Sequence, residues 1–212
     1  MHLLFLGTAA SEGYPDAFCN CSNCARARQL GGASLRKRSA VLINNDLLID
    51  FGPDLMAAAL QHNLSFANVH YCLQTHEHSD HLDTSHFFSR SQFCGVQGTP
   101  RLHYYASQGA IEKLFSTFLD YKIDLPVNDI DLGDQMNLCI HMIAPQDEFA
   151  VGPYNVLSLH ANHDPSITAM LYVIERNDRV LFYATDTGEL SEVTWQALKE
   201  HGRKFTMVAM DH

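Results

Sequence analysis

Short apolar runs recur along the chain, separated by clusters of turn-forming residues. Leu3–Leu6, Ala40–Ile43, Leu47–Asp50, Val69–Leu73, Leu102–Tyr105, Met136–Ile143, Val156–His160, Ala169–Ile174, Val180–Ala184 and Phe205–Met210 are each four to eight residues long. That is strand length, and too short for a helix with its own core face. Asn44-Asn45-Asp46 and Asn177-Asp178 fall between pairs of these runs and predict tight hairpin turns. Helical spacing of apolar residues covers Pro53–His62, about Thr84–Phe93, Gln108–Leu119 and Leu190–His201, with Asp54, Ser107 and Ser191 near the starts. Hairpins followed by helices in both halves predict two mixed sheets that face each other, with helices on their outer faces. In such an α/β arrangement the loops after the strands line one edge. His76–His81, His163 and Asp186 all follow predicted strands, so one edge can gather them.

The chain shows no repeat at a fixed period, no low-complexity tract and no linker rich enough to divide it. Its 212 residues therefore read as a single domain, 1–212, long enough to bury a core. A hydrophobic fraction of 46% and a charged fraction of 18% are ordinary for a globular protein. The formal net charge is −10, and the one basic run is Arg36-Lys37-Arg38. A nucleic-acid partner is not expected on that balance. Met1–Gly7 is apolar but too short for a signal peptide, and no segment approaches the ~18 apolar residues of a membrane span. A cytoplasmic protein without membrane contact is the expectation. The cysteines agree: Cys19, Cys21 and Cys24 form one knot, while Cys72, Cys94 and Cys139 lie scattered in apolar runs as buried thiols of a reducing compartment.

The chemistry concentrates in His76-Glu77-His78-Ser79-Asp80-His81, directly after the run Val69–Leu73. At a two-residue period His76 and His78 point the same way and can share one metal ion, while Glu77 points away. Asp80 and His81 follow where the chain turns, within reach of a second ion. Neutral imidazoles and carboxylates suit zinc, manganese or iron. Two later strand ends extend the set: Val156–His160 leads to His163, and Val180–Ala184 leads to Thr185-Asp186-Thr187-Gly188. His160 fits a strand position packed against its neighbours. His62, His70, His86, His103, His141 and His201 have no motif around them and read as surface or partly buried residues. Phe87-Phe88 and Tyr104-Tyr105 read as core or pocket wall.

H-x-H-x-D-H, then a strand-end histidine, then T-D-T-G resembles the metallo-β-lactamase superfamily of binuclear hydrolases. Gly7-Thr8 after the opening strand and the Leu48-Ile49-Asp50-Phe51-Gly52 turn extend the likeness over nearly the whole chain. The resemblance implies an αβ/βα sandwich. It implies that His76, His78 and His163 hold one metal, that Asp80 and His81 hold the other, and that Asp186 bridges them. The family pattern ends in a further histidine on a late loop. This chain stops at Met210-Asp211-His212, too early for that ligand, so a sequence lacking its carboxyl-terminal segment and holding its second ion weakly is the expectation.

Cys19-Asn20-Cys21-Ser22-Asn23-Cys24 has C-x-C-x2-C spacing, and three thiolates so placed can fill three corners of a zinc tetrahedron. Together with Gly7–Pro15 before it, this loop is similar to a narrower group, the phosphoribosyl 1,2-cyclic phosphate phosphodiesterases of the carbon–phosphorus lyase pathway. In that group such cysteines carry a structural zinc whose fourth ligand is a histidine near the carboxyl terminus. The pyrroloquinoline quinone biosynthesis B group shares the cysteine loop but departs from the full H-x-H-x-D-H pattern retained here.

The implied activity is a metal-dependent phosphodiesterase acting on a small cyclic or diester phosphate. It would use two zinc or manganese ions about 3.5–4 Å apart that activate a shared hydroxide, with Asp80 orienting it or taking its proton. Three alternatives stay open. One is a transfer-RNA 3′-end endonuclease on the same site, which needs a basic arm. Another is a non-catalytic metal-binding accessory protein. The third is a lactone or thioester hydrolase. A homodimer is compatible with everything above and demanded by none of it.

Overall fold

The computed structural model describes residues 1–121 and 136–211. Two sheets face each other. The first has six strands in the order β1 (Leu3–Gly7), β2 (Ala40–Ile43), β3 (Leu47–Ile49), β4 (Tyr71–Leu73), β5 (Leu102–Ala106) and β6 (Leu138–Met142). Strands β1, β2 and β3 pair antiparallel in succession, β2 and β3 through the Asn44–Asp46 hairpin, and β3, β4, β5 and β6 then run parallel. The second sheet has the order β11 (Met207–Met210), β10 (Arg179–Ala184), β9 (Met170–Arg176), β8 (Tyr154–His160), β7 (Glu148–Val151). All its pairs are antiparallel except β10 with β11. Helices are α1 (Ser22–Leu30), α2 (Leu55–His62), α3 (Ser85–Ser89), α4 (Gln108–Asp120) and α5 (Glu192–His201).

Alternation along the strands sorts side chains into three cores. Leu42, Leu48, Cys72, Leu102 and Tyr104 face outward from the first sheet onto Ala58 of α2, Phe87 of α3 and Leu114 and Phe118 of α4. Val41, Ile43, Leu73 and Tyr105 face inward and meet Tyr154, Tyr172, Leu181 and Tyr183 of the second sheet. Leu159, Leu171 and Phe182, on that sheet's other face, pack with Leu198 of α5. The layering is helix, sheet, sheet, helix, as the αβ/βα expectation required.

Several boundaries differ from those read off the chain. Strand β7 escaped the pattern because only Phe149 and Val151 alternate with exposed Glu148 and Ala150 at the sheet's edge. The span Thr84–Phe93 contains only the short α3 followed by a 3-10 turn, Gln92–Cys94, after Ser91 adopts an extended backbone. The cysteine loop continues into α1, with Cys21 as its N-cap, accepting from the Cys24 amide at 3.5 Å. Cys72 is fully buried, but Cys94 is exposed and Cys139 half-buried, so those two do not act as core hydrophobes. His160 is exposed rather than packed against neighbours. Among the described residues, no helix is long and apolar enough to cross a membrane. His212 lies outside the described residues.

Candidate metal centre

Chain direction explains why distant residues converge. Strands β3 and β4 run parallel in one sheet, while β8, β10 and β11 share a direction in the other. Their carboxyl ends open into the same crevice, the usual place for a site in such sheets. Asp50 follows β3, Gln74–His81 follow β4, His163 follows β8, Asp186 follows β10 and Asp211 follows β11. Two bonds tie the sheets together there: the Met170 amide donates to the Thr75 carbonyl at 2.9 Å, and the Tyr172 hydroxyl to the Gln74 carbonyl at 2.5 Å.

The structure brings all six strand-end residues singled out in the sequence into one cluster. One donor atom each of His76, His78 and His163 lies within 4.8 Å of the other two, and the same holds for His76, His81 and Asp186. His163 Nε2 is 3.2 Å from His78 Nδ1. The Asp186 carboxylate contacts His81 Nε2 and also stands 3.8 Å from His76 Nε2, between the two imidazoles. Asp80 is 3.4 Å from His81 Nε2. Glu77 points out of the cluster, towards the first turn of α4.

A layer beneath the cluster, not read from the sequence, holds it in place. Asp50, fully buried, accepts from the Thr75 amide and hydroxyl, both at 2.8 Å, and its other oxygen lies 2.6 Å from His81 Nδ1. This fixes the His81 ring so that Nε2 faces the crevice. The Gln74 amide nitrogen donates to Asp50 and to the His76 carbonyl, and the Thr75 hydroxyl also reaches His76 Nδ1 at 3.0 Å. Asp50 and Asp186 both take left-handed backbone angles, φ +67° and +51°. For a side-chain-bearing residue that costs about 1 kcal/mol, and Asp tolerates it better than most. The turn at Asp186 is held by its amide, which donates to the Asp211 carboxylate. The His163 loop is tied to it as well: the Gly188 amide donates to the Asn162 carbonyl at 2.7 Å. The sequence signal for Asp50 was a carboxylate leaving an apolar strand before Phe51-Gly52. Thr75 and Gln74 gave none.

The electrostatics follow from burial and these contacts. Burial, then the neighbouring His81, pulls the His76 imidazole down to about 3, which keeps it neutral. Burial also opposes charge on His81, but Asp50 and Asp186 outweigh it and hold that imidazole far above its ordinary value. The bond to His81 draws Asp80 down to about 2. His76 Nε2 is buried and has no hydrogen-bond partner. Leaving a buried ring nitrogen unpaired costs about 1–3 kcal/mol, and a cation between the histidines removes that cost. Imidazole nitrogens and carboxylate oxygens are the donors that divalent transition ions take, so the set around it fits such an ion.

Near the amino end, Cys19, Cys21 and Cys24 place their sulfur atoms within 4.8 Å of one another. Amide donation from Cys24, and then contact with Cys19, lowers the Cys21 thiol to about 7. Arg28 pins the loop by donating to the Asp16 and Cys19 carbonyls at 2.6 and 2.7 Å. The three thiols form no disulfide and lie close enough together to hold one metal ion.

Residues 45–211 match the beta-lactamase superfamily domain. No curated protein matches the chain. Among solved structures, a diphosphatase of the PhnP family is similar at 19% identity and a TM-score of 0.73, over 97% of this chain and 72% of its own. Zinc-bound PqqB from Methylobacterium extorquens is similar at 21% identity and a TM-score of 0.73, over 100% of this chain and 72% of its own. The short form of human tRNase Z follows at 14% identity and a TM-score of 0.59, over 96% of this chain and 84% of its own. With two facing mixed sheets, outer helices and a histidine–aspartate cluster at the strand ends, the chain belongs to the metallo-β-lactamase superfamily.

Proposed function

We propose that this protein is a metal-dependent hydrolase of small phosphate diesters. The observation that carries the reading is His76 Nε2, buried and unpaired, facing Asp186 within a ring of imidazoles. In this reading His76, His78 and His163 hold one divalent ion, Asp80 and His81 a second, and Asp186 serves both. When bound, such a pair supplies Lewis acidity to phosphoryl oxygens and lowers the pKa of a shared water.

The chain's own residues divide the remaining work. Asp50 and Thr75 orient His81 and His76 before any ligand arrives, which spares reorganisation later. Asp80, ionised at neutral pH, is placed to orient the attacking water and to accept its proton. His163 and Asp164 lie at the outer rim, with Asp164 3.5 Å from His78 Nε2. They stand where a substrate would enter. The cysteine triplet, remote in sequence, is assigned to a structural zinc. Phosphorus as the electrophile is supported by the combination of the C-x-C-x2-C loop with the full H-x-H-x-D-H motif, and by the diphosphatase among the structures of similar fold.

The test is hydrolysis of a bis-aryl phosphodiester beside a lactone and a thioester, after loading with Mn2+ or Zn2+. Diester turnover that disappears in Asp186→Ala and His78→Ala supports the assignment. Turnover of the lactone or thioester alone overturns the substrate class, and full activity in the two variants overturns the ligand roles.

A further inference from the structure

A second group of donors stands on β5 and β6, to one side of the strand that leads into the first cluster. His103 is the second residue of β5, and Cys139 and His141 alternate on β6. Parallel pairing sets His103 opposite Cys139 and Tyr105 opposite His141. The period of two then puts all three donors on the face turned towards the second sheet. His103 pairs with Tyr71, where β4 begins, whereas the histidine–aspartate cluster follows the residue where β4 ends. His141, opposite Tyr105, lies level with Leu73, so the two groups are separated across the sheet, β5 standing between β4 and β6, and for His103 and Cys139 along the short strand β4 as well.

The geometry is close to that of a ligand set. His103 Nδ1 and His141 Nε2 are 3.0 Å apart, and one donor atom from each of His103, Cys139 and His141 falls within 4.8 Å of the others. Zinc bonds of about 2.0–2.1 Å to nitrogen and about 2.3 Å to sulfur place tetrahedral donors roughly 3.3–3.7 Å apart. Small ring rotations cover the difference. The His141 ring is already constrained, stacked at 13° on Tyr105 and at 19° on His103. All three residues are half-buried, which weakens competition from water while leaving a route for an ion.

We infer that His103, Cys139 and His141 form a separate binding site for a borderline-soft transition ion, with zinc as the occupant. Two imidazoles and one thiolate match zinc's preferred donors and would leave its fourth position to water or another ligand. Binding releases the thiol proton to solvent. The bound ion would clip β6, the outer strand of the first sheet among the described residues, to β5.

Cobalt(II) reports the site directly, since a thiolate ligand gives a charge-transfer band in the near ultraviolet. In the Cys19→Ser/Cys21→Ser/Cys24→Ser background, metal-free chain titrated with Co2+ is expected to show a single-thiolate band. Adding Cys139→Ser should abolish that band, and adding His141→Gln should weaken it at least tenfold in affinity. Should the triple variant fail to fold, zinc content decides instead: Cys139→Ser alone is expected to hold one equivalent fewer than the parent chain. An unchanged zinc content, or a cobalt band indifferent to Cys139, overturns the proposal. Diester turnover in Cys139→Ser is expected to stay at the parent level, so failure of the hydrolase reading and failure of this one are told apart.

Discussion

Asp50 shows how much of this site rests on a residue that would not touch the ions. Its carboxylate is fully buried against His81 and Thr75. Replacing it with Ala leaves His81 without the partner that orients it, a change of about 3–5 kcal/mol for a broken buried pair. Asp50→Asn keeps the shape but loses the charge, and zinc competition titration should show affinity reduced about 10–100-fold. His81 also gives the centre a pH dependence. Its folded pKa is raised, so in the metal-free chain the contact with Asp50 and Asp186 adds stability that is fully present below about pH 6.5. That stability fades as pH rises towards the folded value. A cation bound at Nε2 would displace its proton. Adding zinc to metal-free protein at pH 7 in dilute buffer should therefore release protons detectable with an indicator dye, and His81→Ala should release fewer. His76, His78, Asp80 and His81 were legible in the sequence because their spacing is compact. Gln74 and Thr75 were not, and Asp50 showed only as a carboxylate at a strand end, because their roles exist only once β3 and β4 lie side by side.

At the scale of elements, strands were easier to read than helix ends. Apolar runs bounded by Asn and Asp identify β2, β3, β9 and β10, because burial on both faces leaves no polar position to blur them. Edge strand β7 carries too few apolar residues to stand out. Helix starts were legible where a side chain caps: Ser107 accepts from the Ala110 amide and Ser191 from the Thr194 amide. Asp54 precedes α2 but does not cap it, since its carboxylate takes the Arg38 amide at 2.9 Å and the guanidinium at 3.1 Å instead. Ser191→Ala should accordingly cost about 1 kcal/mol in denaturant unfolding and leave turnover unaltered. Gly52 behaves differently. A Cβ there would lie 2.6 Å from the Asp80 carbonyl oxygen, a backbone atom that cannot step aside. Gly52→Ala should destabilise the fold by about 1–3 kcal/mol and lower metal affinity with it, measured by thermal melting with and without zinc.

For the whole molecule, the candidate ligands are divided between the sheets: His76–His81 extend from the first, His163 and Asp186 from the second. An ion held by both groups would act as a cross-link between layers otherwise joined mainly by apolar contact. Binding at a thousandfold excess over Kd adds about 4 kcal/mol. For a domain of this size that corresponds to a melting shift of roughly 8–16 °C. Chelation should lower Tm by at least that order, and His78→Ala/Asp186→Ala should remove this site's share of the shift while any share of the cysteine and His103–Cys139–His141 clusters remains. The facing-sheet arrangement was legible from hairpins and helices in succession, but the convergence at one edge depended on β8, β10 and β11 sharing a direction. No local pattern encodes that shared direction.

Because Asp186 is steadied through its own amide by a carboxylate just after the neighbouring strand, β11, the outer strand of the second sheet among the described residues, doubles as a brace for the crevice. Damage to that margin would be felt first as a slack hinge at the chemistry, well before the rest of the body loosened. A molecule frayed there would still look intact to a thermometer while its strand-end side chains had already lost their alignment.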